Sequence, residues 1–174
     1  MIVRWAALFC SLVAIFLIAG CAVSAGHHTQ NAANRATDPV WQGRLAVHVP
    51  ADPTHGEDQD QRWSSNFVLR GHSGLGELQL LTPFGITTAD IAWTPKQAVL
   101  RTRGDSRSFD HIDALISDVV GITVPIDALL AWLDGNNLPV DGWTVDLTGF
   151  ADGKIVAMRN APAPQAEIRI VLDR

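Results

Sequence analysis

The sequence predicts an α+β fold that is mainly β, in which two short helices cover one apolar face of an antiparallel sheet. Apolar and polar residues alternate in successive segments, which turn signals separate about every ten residues. The alternation is replaced once, between residues 110 and 133, by the spacing of amphipathic helices, and then it returns. Strands followed by helices and then by strands favour an antiparallel meander over a repeated βαβ array.

The start of the chain has the parts of a secretory signal. A basic start at residues 1–4 precedes an apolar run at residues 5–19, which is too short to span a membrane comfortably. The run ends in an Ile-Ala-Gly-Cys sequence, which resembles the lipobox of bacterial lipoproteins. The alternative is an ordinary secretory signal with an incidental cysteine. We expect residues 1–20 to be the signal peptide, and we expect Cys21 to carry an S-linked diacylglycerol and an N-linked acyl chain.

Residues 21–39 predict a lipidated, flexible tether because they are polar and small and show no apolar periodicity. Neighbouring His27 and His28 have no further ligands at a metal-binding spacing, so we interpret them as linker residues. Ala22 follows the expected lipidation site, and by the sorting rule of enteric bacteria this favours the outer membrane over the inner one. The folded domain is expected at residues 40–174.

Cysteine usage and charge exclude several kinds of function. The chain has two cysteines, Cys10 in the expected signal and Cys21 at the expected lipid site, so the mature domain has no thiol for a disulfide, catalysis or a metal. The formal net charge is -5, and no basic cluster stands out. Neither nucleic acid nor polybasic recognition of anionic lipid is therefore expected.

About eight or nine strands are expected in the domain. The first is typical, since Leu45, Val47 and Val49 alternate with Ala46 and His48. The segments with this pattern are 41–49, 62–70, 76–82, 87–94, 97–103, 106–109, 143–148, 154–159 and 166–172. A polar, acidic loop is expected at residues 50–61.

Two segments have helical spacing. Residues 110–120 carry apolar residues at intervals of three and four, and Gly121 ends the stripe. A second helix is expected from Pro125, a residue favoured in first turns, to Leu133. Because both helices are short, their stability depends on packing the apolar stripe against the sheet.

The sequence shows no constellation of catalytic or metal-binding residues. Residues 71–74 (GHSG) contain some letters of the hydrolase nucleophile elbow, but the spacing is wrong and a strand follows. No histidine is combined with a carboxylate at a spacing that a general base or a metal requires. We therefore expect no enzyme activity, no metal and no cofactor besides the covalent lipid on Cys21.

Two structural questions stay open from the pattern alone. The inward positions are rich in tryptophan and phenylalanine, and a packed core and a lipid cavity produce the same alternation. The turn at residues 82–85 (TPFG) carries Phe84 near its tip. Its ring is either tucked under the sheet, as is commoner for large aromatic residues, or held out toward an apolar partner.

Three segments resemble the LolB family of outer-membrane lipoproteins, which receive lipoproteins from a periplasmic carrier and insert them into the membrane. They are residues 43–47 (GRLAV), 80–85 (LLTPFG) and 121–135 (GITVPIDALLAWLDG). Together with the lipobox, the resemblance covers most of the mature chain. It implies an incomplete antiparallel β-barrel, or curved sheet, with the two short helices as a lid over an apolar cavity.

The resemblance also implies sites and partners. Pro83, Phe84 and Gly85 would form a membrane-insertion loop with the phenylalanine outward. The acyl-chain cavity would be lined by Leu45, Trp63, Phe67, Leu69, Leu80, Trp93, Leu130 and Trp132. The expected partners are a LolA-like periplasmic carrier, lipidated cargo and the inner leaflet of the outer membrane, and the protein would be a lipid-anchored monomer that faces the periplasm.

Two other functions are alternatives to this interpretation. One is a structural lipoprotein with a solid core, which would scaffold an outer-membrane assembly complex. The other is a lipid-modifying enzyme that faces the periplasm.

Overall fold

Nine strands form one antiparallel sheet in the computed structural model of the chain, which describes residues 38–53 and 59–174. The strands are β1 (Val40–Val49), β2 (Gln61–His72), β3 (Leu75–Leu81), β4 (Thr87–Thr94), β5 (Gln97–Thr102), β6 (Asp105–Phe109), β7 (Trp143–Asp146), β8 (Lys154–Arg159) and β9 (Ala166–Leu172). The expected signal peptide, Cys21 and nearly all of the tether lie outside the described residues.

The sheet forms an incomplete barrel. Its strand order is β6-β5-β4-β3-β2-β1-β9-β8-β7, so the last strand of the chain pairs with the first. Within the described residues β6 and β7 do not pair with each other, and they remain as the two edges of an open sheet. The predicted fold class, mainly β with an incomplete antiparallel barrel and two short helices, is confirmed.

The alternation of the strands separates two faces. In β1, Val47 and Val49 are buried on the face that packs under the helices, whereas Gln42 and Arg44 are exposed on the other face. The cross-strand register keeps these faces aligned, since Val47 pairs with Trp63 of β2 and with Ile168 of β9. The apolar residues of the inner face therefore form one continuous wall.

Two helices cover that wall. Helix α1 (Ile112–Val120) ends at Gly121, whose left-handed conformation lets its N–H donate to the carbonyl of Ser117. Helix α2 (Ile126–Leu133) follows Pro125. The backbone N–H of Ile126 donates to the carboxylate of Asp113 at 3.0 Å, which joins the start of α2 to α1. Both helices begin within two residues of the predicted starts.

The strand predicted at residues 143–148 ends earlier, at Asp146. The carboxylate of Asp146 accepts hydrogen bonds from the backbone N–H and the hydroxyl of Thr148, at 2.9 and 2.7 Å. An aspartate that bonds to the backbone two residues later forms a turn of its own, which competes with the sheet. A short 3-10 turn at Phe150–Asp152 then leads into β8.

Residues 38–174 form a compact unit with a core of their own. Among the described residues, the buried apolar cluster runs from Val47 to Ile170. A compact unit with a core of its own can in principle fold by itself. No helix among the described residues has the length and apolar character needed to cross a membrane.

Candidate functional site

An apolar cavity lies between the two helices and the inner face of the sheet. Its volume is about 80 Å³, and none of the described residues that line it has a charged or hydroxyl-bearing side chain. The sheet contributes Leu45, Val47, Trp63, Leu69, Leu78, Leu80, Ile91, Trp93 and Ile168. The helices and their connection contribute Ile112, Leu115, Ile116, Val119, Val120, Val124, Ile126 and Leu129. The interior of the barrel thus contains a small cavity, and closely packed apolar side chains surround it.

The structure brings five of the eight proposed cavity residues together around this space. They are Leu45, Trp63, Leu69, Leu80 and Trp93. Phe67, Leu130 and Trp132 are buried but lie in the surrounding core. Trp132 packs against Trp143 with ring centroids 5.7 Å apart, and its indole N–H donates to the carbonyl of Leu138 at 3.1 Å.

Sequence reasoning missed the contribution of α1 to the cavity. Ile112, Leu115, Ile116, Val119 and Val120 all line it from above, and Val119 is also partly exposed at the surface. The sequence did contain a signal for this lining, because the same residues form the apolar stripe that predicts the helix.

Trp93 is a fixed part of the wall. Its indole N–H donates to the carbonyls of His72 and Ser73, both at 3.0 Å. Its ring lies directly against Gly76 of the neighbouring strand, where a Cβ atom would come within 2.2 Å of the ring. Glycine is therefore required at this position for the tryptophan to reach the cavity.

The loop between β3 and β4 is closed by its own hydrogen bonds. The N–H of Thr82 donates to the carbonyl of Ile86 at 2.8 Å, and the N–H of Ile86 donates to the hydroxyl of Thr82 at 3.1 Å. The N–H of Gly85 donates to the carbonyl of Thr82 at 2.9 Å, and Gly85 has a φ of 78°. A left-handed residue at this point of the turn favours glycine.

The side chains at the tip of this loop face outward. Phe84 is 91% exposed, so its ring is not tucked under the sheet. Ile86, which the sequence reasoning did not select, is 65% exposed. Leu80, at the end of β3 just before the loop, lines the cavity, and its carbonyl accepts a hydrogen bond from the hydroxyl of Thr88. The end of β3 therefore borders the cavity through Leu80 and leads directly into the exposed tip of the loop.

The ionisable groups are outside the cavity. The backbone N–H of Ala51 and the guanidinium of Arg62 donate to Asp60 and hold the pKa of its carboxyl below the ordinary value of 3.8. Among the described residues, no three His, Cys, Asp or Glu side chains are grouped so that they could hold a metal ion.

An incomplete antiparallel barrel with a helical cover and a purely apolar interior defines a class of β proteins with a space for apolar groups. Residues 40–160 match the family model described as "Outer membrane lipoprotein LolB". The chain belongs to the LolB family. The resemblance noted in the sequence is confirmed, and so is the expected place of the protein as an outer-membrane lipoprotein.

Several relatives have the same name, and the match covers most of their length. The outer-membrane lipoprotein LolB of Bordetella pertussis is 29% identical over 98% of this chain and 94% of its own length. That of Dechloromonas aromatica is 32% identical over 80% of both chains. That of Shewanella denitrificans is 26% identical over 91% of this chain and 73% of its own.

Proposed function

We propose that this protein accepts the acyl chains of lipoproteins from a periplasmic carrier in its apolar cavity and inserts them into the outer membrane. Membership of a family of outer-membrane lipoproteins supports the setting of this activity. The observation that carries the proposal is the cavity itself, because every described residue that lines it has an apolar side chain. No bond is made or broken, and lipid attached to Cys21 would hold the protein at the membrane.

The chemistry of the wall suits acyl chains. Each methylene group removed from water stabilises the bound state by about 0.8 kcal/mol, and an acyl chain has no polar group along its length that would need a hydrogen bond. Transfer from a carrier can therefore run downhill without ATP, provided that this cavity binds the chains more tightly than the carrier does.

The cavity must open before it can take an acyl chain. Its volume of about 80 Å³ is small beside the roughly 300–1,000 Å³ of typical ligand pockets. Helix α1 buries only Ile112 and Leu115 completely, whereas five residues of α2 are buried. We infer that α1 moves away from the sheet while α2 stays in place.

The loop is the proposed point of release. Phe84 and Ile86 extend outward at the end of the strand whose Leu80 lines the cavity. Large exposed apolar side chains at a loop tip are typical of a site that contacts a membrane or another apolar surface. In this proposal the two side chains enter the inner leaflet, and the acyl chains follow from the adjacent cavity.

Replacing Phe84 with glutamate tests the role of the loop. We expect the variant to accept cargo from the carrier but to lose most of its insertion activity, because a carboxylate does not enter the acyl region. Transfer and insertion are measured separately, with Leu75→Glu as the control, since Leu75 is an exposed apolar residue at the other end of β3. Unchanged insertion by a folded Phe84→Glu protein would contradict the proposed role.

A photoreactive amino acid in the cavity wall tests binding directly. At Ile116, on the inner side of α1, it should crosslink to lipidated cargo. The same group at Leu138, which is exposed and outside the cavity, is the control. If neither position gives a product, the chains bind elsewhere, and a scaffold with a closed core becomes the better interpretation.

A further inference from the structure

An open groove with two arginines lies on the outer face of the sheet, beside the exposed loop. Its volume is about 920 Å³, and it runs from Ile86 across β4 to the end of β5. Arg101 and Arg103 line one side of it, and the threonines of early β4 line the other, among them Thr88. Asp90 and Arg101 alternate with the buried Ile91 and Leu100 and so project from the outer face, and the groove shares no lining residue with the cavity.

The topology places these arginines at the loop end of the molecule. Ala89, near the start of β4, pairs with Thr102, the last residue of β5, so the β3–β4 loop and the β5–β6 turn share one end of the sheet. Arg103 follows Thr102 and so lies level with Thr88 on the neighbouring strand. Thr88 is two residues after Ile86 in the chain. At a rise of roughly 3.3 Å per residue, this is about 7 Å.

The two cations lack partners within the described residues. Arg101 and Arg103 are exposed, and no carboxylate in residues 38–53 or 59–174 forms an ion pair with either of them. Asp90 also lines the groove and lies opposite Arg101, but its carboxylate accepts from the amide of Gln79 at 3.5 Å. The groove thus carries two cations against one anion, in a chain whose net charge is -5.

We propose that this groove binds the headgroup phosphates of anionic phospholipids, on the leaflet that Phe84 and Ile86 enter. This inference rests on the proposed function of the loop. An apolar tip that enters a bilayer lies about 5–10 Å below the headgroup boundary. Arg103, about 7 Å behind Ile86, is then level with the phosphates, to which a guanidinium can donate two parallel hydrogen bonds. Arg101, opposite Asp90, lies about 7 Å further back along the strand.

The groove adds a second contact to that of the loop. An apolar tip alone leaves the protein free to rotate about the loop, because burial of apolar surface has no direction. Arg101 and Arg103 lie to one side of the tip, on the outer face, so their contact with phosphates fixes which side of the sheet rests on the membrane.

Vesicle binding tests the inference. Residues 38–174, a compact unit with its own core and without the expected lipid anchor, are mixed with vesicles of phosphatidylcholine or of equimolar phosphatidylcholine and phosphatidylglycerol. For Arg101→Gln/Arg103→Gln we expect the affinity for the anionic vesicles to fall about fivefold for each arginine removed. Affinity for neutral vesicles should change much less, and high salt should abolish the difference between variant and wild type.

A matched control separates a local groove from general charge. Arg70→Gln/Lys96→Gln also removes two exposed cations, but at the opposite end of the sheet. Its affinity for anionic vesicles should stay close to that of the wild type. An equal loss in both double variants would overturn the inference, since net charge would then explain the binding. Thermal unfolding shows whether each variant is folded.

Two further outcomes distinguish this inference from the function it rests on. If Phe84→Glu weakens binding to both kinds of vesicle while the arginine variant binds like the wild type, the loop contact stands and the phosphate site is wrong. If Phe84→Glu has no effect on either vesicle, the loop proposal fails. If vesicle binding is normal but the arginine variant is defective in accepting cargo, the groove binds an acidic protein surface, which also overturns the inference.

Discussion

The guanidinium of Arg107 on β6 donates a hydrogen bond to the carboxylate of Asp118 on α1, with the two atoms 2.6 Å apart. This ion pair joins the more exposed helix of the lid to an edge strand of the sheet. Both side chains are about half exposed, and exposed pairs of this kind stabilise a fold by roughly 0.2–1 kcal/mol. The pair itself therefore contributes only weakly to holding α1 against the sheet, which agrees with the proposed opening of this helix.

Removing the ion pair should make the cavity more accessible. For Arg107→Gln we expect faster uptake of an apolar fluorescent dye, up to about fivefold, with a loss of less than about 1 kcal/mol in the free energy of unfolding. Stopped-flow fluorescence measures the uptake. The control is Arg62→Gln, which breaks the exposed pair with Asp60 away from the lid. Equal uptake rates in the two variants would show that Arg107 does not restrain α1.

Ile86 should contribute to insertion together with Phe84. Burial of an isoleucine side chain is worth about 1.5–3 kcal/mol, so Ile86→Ser should lower membrane partitioning of residues 38–174 about tenfold. Sedimentation with phosphatidylcholine vesicles measures this partitioning. Val40→Ser removes a comparably exposed apolar residue outside the loop and should have no effect. A loss in the Val40 variant as large as that at Ile86 would argue against a specific role of the loop.

Gly76 should tolerate no side chain. In Gly76→Ala the new Cβ would lie 2.2 Å from the buried ring of Trp93, and relief of such a contact costs about 1–3 kcal/mol of stability. Chemical denaturation measures the loss. Gly74→Ala is the matched control, since its Cβ would meet only the ring of His72 at 3.4 Å. If the two alanine variants are equally stable, the Trp93 ring can move freely, and it is not a fixed part of the wall.

Asp146 should make stability depend on pH in acid. The backbone N–H of Thr148, and then its hydroxyl, donate to the carboxylate and hold its pKa below the ordinary value of 3.8. A lowered pKa in the folded state stabilises the fold above pH 3.8, and this contribution is lost as the pH falls through the folded-state pKa.

Urea unfolding of Asp146→Asn at several pH values measures this effect. The variant should be less stable than the wild type at neutral pH, and the difference should shrink below pH 3.8. Asp141→Asn is the control, because no hydrogen bond to the Asp141 side chain is formed within residues 38–53 and 59–174. A stability difference at Asp146 that is the same at every pH would contradict the assignment.

Much of the fold could be predicted because periodicity depends on burial. The alternation in β1 and the apolar stripe of α1 both report which side of an element faces the core. Periodicity does not report what lies beyond that face. Phe67 and Leu69 have the same parity on β2, yet only Leu69 reaches the cavity, since this depends on where the helices lie above the strand.

The loop shows a different limit of sequence reasoning. For an aromatic residue in a turn the pattern favoured burial, and Phe84 was placed outward by the expected lipid tether to a membrane together with the resemblance to a family. Ile86 gave no signal, because one apolar residue between a glycine and a threonine has no period. The groove of Arg101 and Arg103 joins residues from two strands, and it exists only through the pairing of β4 with β5.

The gap between β6 and β7 has a consequence for the size of cargo. In a closed barrel, the circumference is fixed by the number of strands and their stagger. Here the ring is interrupted, and the chain crosses the gap through α1 and α2. A change in the twist of the strands can therefore widen the wall without breaking a backbone hydrogen bond. In the proposed function, a wall of this kind would fit bundles that differ in the number and length of their hydrocarbon chains.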